Sequence, residues 1–444
     1  MKKARKTSLI GLLLIPILLF SMFVTTPQAN AETDLGLTVG AAILIDADSG
    51  KILYEQNADT PLGIASMSKM MTEYILLDAI KDGKVSWDQE YKVSEYVYKL
   101  SQNRALSNVP LRADGTYKLR ELYEAMAIYS ANAATVAIAE MVAGTETEFV
   151  KLMNKKAKEL GLEGYKFVNS TGLNNADLMG MHPAGTGPED ENVMPARSVA
   201  KLAYHLLKDY PEVLETASIP RKTFREGTDD AIKMENWNFM LPGLVYQYQG
   251  VDGLKTGTTN LAGYCFTGTA ERNGTRLISV VMNAVDSNGV GSYKARFDAT
   301  AKLFDYGFSQ FAKQEIIPAD FSEKGKESIK VIKGKEDKVK IAVKEPLSML
   351  VKTSEKDLYQ PKLVLDKESL EAKVEKGTVV GKVVIERKEG SDYGFIDGKE
   401  MAVDVVTADD VERAGFISLF FQGIGNFFSN LWGGITGFVG GLFS

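Results

Sequence analysis

Hydrophobic and polar residues follow two different periods along this chain, and each change of period marks a predicted element. Two β-rich runs, Ala41 to Asp46 and Lys51 to Gln56, flank the turn residues Asp48-Ser49-Gly50 and predict a hairpin. Residues 63–80 (GIASMSKMMTEYILLDAI) follow at once, with apolar residues at helical spacing. The chain therefore opens with a hairpin followed directly by a buried helix.

The next part of the chain alternates between helical patterns and turn-rich segments. Residues 83–118 are rich in turn residues and are expected to wrap around a mostly helical subdomain. A loop rich in Gly, Pro and Asn runs from about 169 to 195, and loops of that length are usually functional or mobile. Helices are predicted at 119–142, 149–161, 197–207 and 294–311, and a hairpin with an Asn273-Gly274 type I′ turn at 263–283.

The pattern changes again near residue 316. From 328 to 407, short alternating runs separated by Gly, Pro and charged turns predict a small all-β domain, interpreted as a spacer or partner-binding module. Residues 416–444 carry no charge and repeat apolar side chains at steps of three and four beside a polar face. This indicates an amphipathic helix lying in a membrane interface, with a spanning helix as the alternative.

The N-terminus is typical of a secretory signal peptide. A basic segment (Lys2, Lys3, Arg5, Lys6) precedes the apolar run Leu9 to Phe20 and the small-residue site Ala29-Asn30-Ala31. We expect cleavage before Glu32, although an uncleaved anchor is the alternative. The predicted division is a signal peptide at 1–31, a catalytic domain at 32–315, a β-rich domain at 316–407 and a membrane-anchor helix at 408–444.

Charge and cysteine content narrow the possible partners and location. The net charge is −6, and loss of the four basic residues of the signal segment would take it to about −10, which argues against nucleic acid as a partner. The single cysteine, Cys265, excludes a disulfide within the chain and is interpreted as a core residue. An exported chain of this kind fits the outer face of a Gram-positive-type bacterial cytoplasmic membrane, as a peripheral protein.

The first candidate for a catalytic site is the segment Ser66-Met67-Ser68-Lys69. On a helix, residues three apart share a face, so the Lys69 amine can reach the Ser66 hydroxyl. A serine needs a base to become a nucleophile, and burial beside a second cation would lower the pKa of a lysine enough to supply one. Alone, this pair is weak evidence, because an isolated Ser-x-x-Lys is usually an ordinary helix cap with a solvated lysine.

Two further elements strengthen this interpretation. Ser130-Ala131-Asn132 lies among small apolar residues, where a second hydroxyl can relay protons and the Asn132 amide can hold a substrate carbonyl and Lys69. Lys255-Thr256-Gly257 lies on a predicted strand, where Gly257 permits close approach of a ligand and Lys255 offers a cation to an anion. With only His182 and His205 in the chain, no metal site is expected, and no cofactor.

The three elements occur in the order found in penicillin-binding proteins and class A β-lactamases. With Asn169-Ser170-Thr171-Gly172-Leu173 and the residues around Lys255, the chain resembles the serine D-alanyl-D-alanine carboxypeptidases of the penicillin-binding-protein 5 type, from about Leu35 to Gln310. The resemblance implies an α/β (α+β) catalytic domain of the penicillin-binding-protein/β-lactamase-like fold, with a five-stranded antiparallel sheet and a helical subdomain. It also extends in outline to the β domain and the terminal helix.

The resemblance also implies roles for the site residues. Ser66 would attack the carbonyl of the penultimate D-alanine of a peptidoglycan stem peptide, and Lys69 would accept its proton. Ser130 and Asn132 would serve the leaving amine and substrate alignment. The remaining expected substrate-binding residues are Lys255, Thr256, Gly257, Thr258 and Arg296, with the backbone N–H groups of Ser66 and Thr258 forming the oxyanion hole.

Some features depart from the family pattern and leave alternatives open. The loop from Leu173 to Pro195 is longer than expected, and Ser198 stands where the family often carries an acid. β-Lactams would acylate Ser66 and leave slowly. A β-lactamase, which would need a deacylating glutamate such as Glu189 or Glu191, a DD-endopeptidase, and a non-catalytic β-lactam sensor or scaffold are the alternatives to a carboxypeptidase.

Overall fold

The computed structural model describes residues 33–390, 392–399 and 401–417 of the 444-residue chain. The expected signal peptide at 1–31 and all but the start of the expected terminal helix lie outside these ranges. Within the described ranges, none of the helices combines the length and apolar character that a bilayer crossing needs.

Helices build both the subdomain and the two outer layers of the catalytic domain. The first helix, α1, is preceded by a 3₁₀ turn at Ala65–Ser68, so the segment that carries Ser66 turns more tightly than the α-helix predicted for it. The helices are α1 Lys69–Lys81, α2 Glu95–Ser101, α3 Leu119–Tyr129, α4 Asn132–Ala143, α5 Glu146–Glu159, α6 Ala196–Asp209, α7 Val213–Ala217 and α8 Tyr293–Gln310.

Strands of the catalytic domain form one main sheet and several short ribbons. The strands are β1 Ala41–Asp46, β2 Ile52–Gln56, β3 Pro61–Gly63, β4 Glu90–Lys92, β5 Thr116–Lys118, β6 Val193–Pro195, β7 Arg221–Phe224, β8 Ile232–Glu235, β9 Val251–Thr259, β10 Gly263–Arg272 and β11 Thr275–Met282. The main sheet is antiparallel with order β2-β1-β11-β10-β9. The predicted five-stranded sheet and both hairpins are confirmed.

The main sheet is buried on both faces, and the alternation of its side chains explains the two layers of helices. Ile43 and Ile45 of β1 pack with residues of α1 and α6, whereas Ala42 and Leu44 face the opposite way and pack with residues of α8. Every residue of β1 is buried, and the strand is apolar from Ala41 to Ile45, before Asp46 ends it. The edge strand β9 lies next to the turn that carries Ser66.

The helical subdomain differs from the sequence prediction at one decisive point. The single helix predicted over 119–142 is two helices, α3 and α4, because Ser130 adopts a left-handed backbone with φ 58°. Non-glycine residues rarely occupy this region, and when they do they cluster at functional sites. After the break, Ser130 and Asn132 both line the cavity that also contains Ser66.

A second, all-β unit follows α8, as predicted. Its strands are β12 Phe311–Ile317, β13 Ser328–Ile332, β14 Lys338–Val343, β15 Leu347–Lys352, β16 Tyr359–Leu365, β17 Ser369–Glu371, β18 Val379–Arg387 and β19 Ala402–Thr407. Six strands form a sheet with order β16-β18-β19-β14-β13-β17, and β12 pairs with β15. The loop between β18 and β19 returns to the catalytic domain, where Ile396 N donates to Gly50 O.

Candidate active site

Ser66 lies in a strained turn at the entrance to α1. Ala65, which precedes it, has φ 45°, so the chain bends sharply before the 3₁₀ turn. The residues directly before and after Ser66 in the chain are buried, whereas Ser66 itself is half-buried. The turn is fixed from within because Ser68 Oγ donates to Ala65 O at 2.7 Å. The bend presents the Ser66 hydroxyl to a cavity while its flanks stay in the core.

Lys69 lies within hydrogen-bond distance of three oxygens. Its Nζ is 2.9 Å from Ser66 Oγ, 2.8 Å from Asn132 Oδ1 and 2.7 Å from Thr171 O. The Asn132 amide is oriented by its Nδ2, which donates to Ser107 O at 3.0 Å. Asn132 Oδ1 and Thr171 O can only accept, so they use two amine hydrogens. A neutral amine would then direct its lone pair at the Ser66 hydroxyl.

Burial and neighbouring charge favour that neutral amine. Burial lowers the pKa of Lys69 well below its ordinary value, and the Lys255 cation lowers it further. The Glu146 carboxylate opposes both effects. Lys69 is only 1% exposed, so solvent can relieve little of the cost of a positive charge there.

Ser130 and Asn132 reach the site from the break between α3 and α4. Ser130 is buried and lines the cavity beside Ser66. Asn132 also fixes the neighbouring loop, because its backbone N–H donates to Ser107 O at 2.9 Å. The Asn132 side chain therefore links that loop to Lys69 through a single amide.

The third predicted element, Lys255-Thr256-Gly257, lies within strand β9 as expected. Gly257 faces the turn that carries Ser66. A Cβ at Gly257 would lie 2.7 Å from Ile64 O and 3.1 Å from Ser66 N, which excludes a side chain there. Lys255 and Thr256 are both buried. Burial, with the nearby Arg296 cation, lowers the pKa of Lys255 to about 7, while Glu73 opposes the shift.

Arg296 enters from the first turn of α8 and lies beneath the end of β9. Its Nη1 donates to Thr258 Oγ1 at 3.1 Å and to the carbonyl oxygens of Gly257 and Cys265 at 3.4 and 3.3 Å. Its Nε is buried and has no hydrogen-bond partner among the described residues. Burial lowers the pKa of Arg296 to about 10, so the guanidinium stays charged at neutral pH.

A cavity of about 410 Å³ joins these groups. One wall is aromatic, because Trp237 Nε1 donates to Tyr129 O at 3.1 Å and the Trp237 ring stacks on Tyr293. Arg104 and Arg296 contribute positive charge, and none of the lining residues is Asp or Glu. Its lining residues are Ser66, Arg104, Ala105, Leu106, Ser107, Tyr129, Ser130, Asn132, Leu173, Trp237, Thr256, Gly257, Thr258, Tyr293 and Arg296.

Several other residues considered at the sequence level serve the scaffold around the site. Glu191 is buried and accepts from Thr259 Oγ1 at 2.7 Å, outside the cavity lining. Ser198 bonds to the backbone of Glu163, where its Oγ donates to the carbonyl at 2.8 Å. Cys265 is fully buried, and burial raises its thiol pKa to about 11, as expected of a core residue. The described residues contain no group of three His, Cys, Asp or Glu placed to hold a metal ion.

Sequence reasoning missed two buried acids, Glu73 and Glu146, near the lysines of the site. Glu73 lies one helical turn after Lys69, where the Tyr123 hydroxyl donates to its Oε1 at 2.6 Å. Glu146 accepts from Ser170 N at 2.9 Å and from Ser170 Oγ at 2.6 Å. A charged residue at i+4 from Lys69 in an apolar helix was a usable signal for Glu73. Glu146 had no such signal, because it begins an ordinary amphipathic helix.

The fold and this arrangement define the class: penicillin-binding, β-lactamase-like serine proteins. The family model described as D-alanyl-D-alanine carboxypeptidase matches residues 27–286, and that of the penicillin-binding protein 5 C-terminal domain matches residues 311–413. The chain belongs to the D-alanyl-D-alanine carboxypeptidase family. Both the proposed resemblance and the two-part fold are thereby confirmed.

Individual relatives resemble most of the chain. D-alanyl-D-alanine carboxypeptidase DacF of Bacillus subtilis (strain 168) is 32% identical over 96% of this chain and 99% of its own length. The crystal structure of a peptidoglycan synthesis regulatory factor (PBP3) from Streptococcus pneumoniae is 35% identical, covers 85% of this chain and 100% of its own, and gives a TM-score of 0.73. Penicillin-binding protein D2 from Listeria monocytogenes, solved in an ampicillin-bound form, is 36% identical over 62% of this chain and 100% of its own, with a TM-score of 0.51.

Proposed function

We propose that this protein removes the terminal D-alanine from peptidoglycan stem peptides ending in D-Ala-D-Ala, through an acyl-enzyme on Ser66. The observation that carries the proposal is the Lys69 amine, buried and 2.9 Å from Ser66 Oγ, with its other contacts on oxygens that can only accept. Membership of the carboxypeptidase family supplies the substrate class.

In the acylation step, Ser66 Oγ attacks the carbonyl carbon of the penultimate D-alanine while Lys69 Nζ takes the hydroxyl proton. The lowered pKa of Lys69 supports this general-base role. The backbone N–H groups of Ser66 and Thr258 are proposed to hold the developing oxyanion. Ser66 N lies close to Gly257 on β9, and this supports an oxyanion hole between the turn that carries Ser66 and the strand.

Departure of the terminal D-alanine requires a proton on its amine. We assign Ser130 to this relay, since its side chain lines the cavity beside Ser66, and Asn132 to alignment of the peptide and of Lys69. Water then attacks the ester carbonyl, and the products are the shortened peptide and free enzyme. Each cycle therefore breaks one peptide bond and consumes one water molecule.

The terminal carboxylate of the substrate is assigned to the positive end of β9. Lys255 supplies an ammonium, Thr256 a hydroxyl on the cavity wall, and Arg296 a buried guanidinium with an Nε that has no partner among the described residues. Gly257 lets the peptide backbone lie close to the strand. Charge-assisted bonds of this kind are about twice as strong as neutral ones.

The same site is proposed to react with β-lactams, because their strained amide places a carbonyl and a carboxylate at a similar separation. The relative from Listeria monocytogenes was solved with ampicillin bound. Ser66 would be acylated and water would release the product slowly, so a β-lactam acts as a covalent inhibitor.

The direct test is D-alanine release from diacetyl-Lys-D-Ala-D-Ala. We expect release by the parent and by Ser287→Ala, which alters an exposed loop serine outside the cavity, and none by Ser66→Ala. Absence of release by the folded parent, or activity in Ser66→Ala, would contradict the proposal. A cross-linked peptide dimer assayed in parallel reveals an endopeptidase.

We also propose that the protein is exported and lies on the outer face of the cytoplasmic membrane, held by residues 416–444. Support comes from the sequence, which places an apolar stripe beside a polar face over an uncharged segment. We expect the chain from 32 to 444 to sediment with neutral phospholipid vesicles and the chain from 32 to 415 to stay in solution. Equal sedimentation of the two would contradict the anchor.

A further inference from the structure

Glu146, at the start of α5, is a buried acid whose hydrogen bonds both come from one residue, Ser170. Its Oε1 accepts from Ser170 N at 2.9 Å and from Ser170 Oγ at 2.6 Å. Its other oxygen, Oε2, is buried and has no hydrogen-bond partner among the described residues. Burying a carboxyl group is costly, so the grip of Glu146 on Ser170 is expected to serve a purpose beyond filling space.

Ser170 directly precedes a residue that orients the base of the site. Lys69 Nζ donates to Thr171 O at 2.7 Å, and the carbonyl of Ser170 itself accepts from Thr72 Oγ1 at 2.7 Å. Lys69 and Thr72 are three residues apart on α1, so both bonds come from one face of that helix. Ser170 is therefore held by α5 at its N–H and hydroxyl and by α1 at its carbonyl.

The segment has little freedom to adjust if one of these contacts is lost. Gly172 has φ 80°, and a Cβ there would lie 1.8 Å from Ala65 O in the turn before α1. Thr171 N and Gly172 N both donate to Asn169 Oδ1, at 3.1 and 2.7 Å. A displacement of Ser170 is therefore passed on to the Thr171 carbonyl and not absorbed within the loop.

Resting on the function proposed above, we propose that Glu146 is a positioning residue for acylation, which holds through Ser170 the carbonyl that orients the Lys69 amine. With one amine hydrogen on Thr171 O, the lone pair of the neutral amine is directed at the Ser66 hydroxyl. Glu146, Ser170 and Thr171 are absent from the cavity lining. Glu146 therefore acts on the base and does not contact the substrate.

This role requires the hydrogen bonds of Glu146 and not its charge. A carboxylate at Glu146 raises the pKa of Lys69, so its charge opposes the neutral amine that acts as the base. Its Oε1, by contrast, holds Ser170 in place. Glu146→Gln keeps an acceptor oxygen and loses the charge, so it should preserve the function. Glu146→Ala removes the acceptor and should not.

The experiment is acylation by benzylpenicillin in stopped flow, which separates the maximal acylation rate from the half-saturating concentration. In Glu146→Ala the maximal rate should fall by more than about tenfold, because a misplacement of about 1 Å can cost about a hundredfold. The half-saturating concentration should stay within about twofold of the parent, since binding contacts are kept. Glu146→Gln should keep the maximal rate within about threefold of the parent, because its amide oxygen still accepts.

Glu148→Ala is the matched control. Glu148 lies in the same first turn of α5, so both alanine variants remove an acid from the N-terminal end of one helix. Its side chain is exposed and pairs with Lys151 at the surface, at 2.6 Å. This variant should be acylated at the parent rate. A loss equal to that of Glu146→Ala would overturn the inference.

Three other results would also overturn it: parent-like acylation of folded Glu146→Ala, an equal loss in Glu146→Gln, or a change in the half-saturating concentration alone. If Glu146→Ala fails to fold, Thr72→Val decides, because it removes the hydrogen bond that holds the Ser170 carbonyl. Its maximal rate should fall by a smaller factor, and an unchanged rate overturns the inference.

Failure of the proposed function is a separate result. A parent that is acylated but releases no D-alanine from diacetyl-Lys-D-Ala-D-Ala contradicts the carboxypeptidase activity, while the acylation rates of the variants still decide the role of Glu146. A folded parent that is not acylated at all contradicts both.

Discussion

At the residue scale, the chemistry depends on how many hydrogens the Lys69 amine carries. A neutral amine has two N–H groups and one lone pair. Asn132 Oδ1 and Thr171 O, at 2.8 and 2.7 Å from Lys69 Nζ, accept the two hydrogens of a neutral amine. Its lone pair then remains for the Ser66 hydroxyl. An ammonium would donate its third hydrogen to Ser66 Oγ, so these distances fit both forms of the amine. Burial and the nearby Lys255 cation, which lower the pKa of Lys69, favour the neutral amine that can act as a base.

Replacing Lys69 with arginine separates these two roles. Lys69→Arg keeps a positive charge and hydrogen-bond donors but cannot lose a proton at accessible pH. We expect acylation by benzylpenicillin to slow by about a thousandfold, the contribution typical of a general base. Stopped-flow acylation rates provide the measurement.

The matched control for this prediction is Lys151→Arg, which alters an exposed lysine on α5 that pairs with Glu148 at the surface. That variant should acylate at the parent rate. Acylation of Lys69→Arg within a few-fold of the parent would show that the amine acts as a cation and not as a base.

At the element scale, a buried asparagine joins the loop that supplies Thr171 to the turn that carries Ser66. Asn192 Nδ2 donates to Ser68 Oγ at 2.8 Å and to Asn169 O at 2.9 Å, while its Oδ1 accepts from Val168 N at 2.7 Å. It thus joins the loop after α5 to the turn that carries Ser66. The loop and the nucleophile turn form one hydrogen-bonded unit.

Asn192→Ala should destabilise this unit. It leaves several buried polar groups without partners, and we expect a loss of about 3 kcal/mol in the free energy of unfolding. Urea unfolding measures the loss, and Asn288→Ala in an exposed loop should leave stability within about 0.5 kcal/mol of the parent. A change in Asn192→Ala no larger than that of the control would contradict this role.

The elements show where sequence reasoning succeeds and where it stops. Period and turn residues locate both hairpins, because Asn273 and Gly274 each adopt the positive φ that the type I′ turn requires. The break at Ser130 leaves no such signal, since a left-handed serine is imposed by packing around it and not by its own preference. The sequence does not indicate the role of Glu146 either, because its partner Ser170 comes next to it only when the chain folds.

At the scale of the whole molecule, the β domain is fastened to the catalytic domain through the loop at 392–397. Ile52 N donates to Gly394 O and Ile396 N to Gly50 O at the edge of the main sheet. Lys51 Nζ lies 2.5 Å from Asp392 Oδ2, and Ile396 packs into the catalytic core. This contact covers part of an exposed edge strand.

Asp392→Ala should loosen this contact. The Lys51 side chain is only 3% exposed, so losing its partner leaves a buried cation, and we expect a loss of about 3 kcal/mol. Calorimetry should show a lower Tm with little change in benzylpenicillin acylation, because the pair lies outside the cavity. The control is Asp82→Ala, which breaks a solvent-exposed pair with Lys84 and should change Tm little. Equal Tm shifts in the two variants would contradict the fastening role.

The contrast between the net charge of the chain and the charge around its cavity is also a property of the whole molecule. The chain carries a net charge of −6, yet its active-site cavity presents two arginines and no acid among its lining residues, with Lys255 behind the wall. A positive cavity in an acidic protein favours small anionic ligands over polyanions. The sequence shows the overall charge, whereas the local reversal appears only when distant segments are folded together.

The measurement that tests the central claim most directly is mapping of the benzylpenicillin adduct by mass spectrometry of proteolytic peptides. The protein should carry one penicilloyl group, on Ser66 alone, with Ser68 and Ser130 unmodified. Ser66→Ala should carry none while melting as a folded protein. An adduct on another serine, or a folded parent that forms no adduct, would contradict the assignment of Ser66 and Lys69 as the nucleophile and its base.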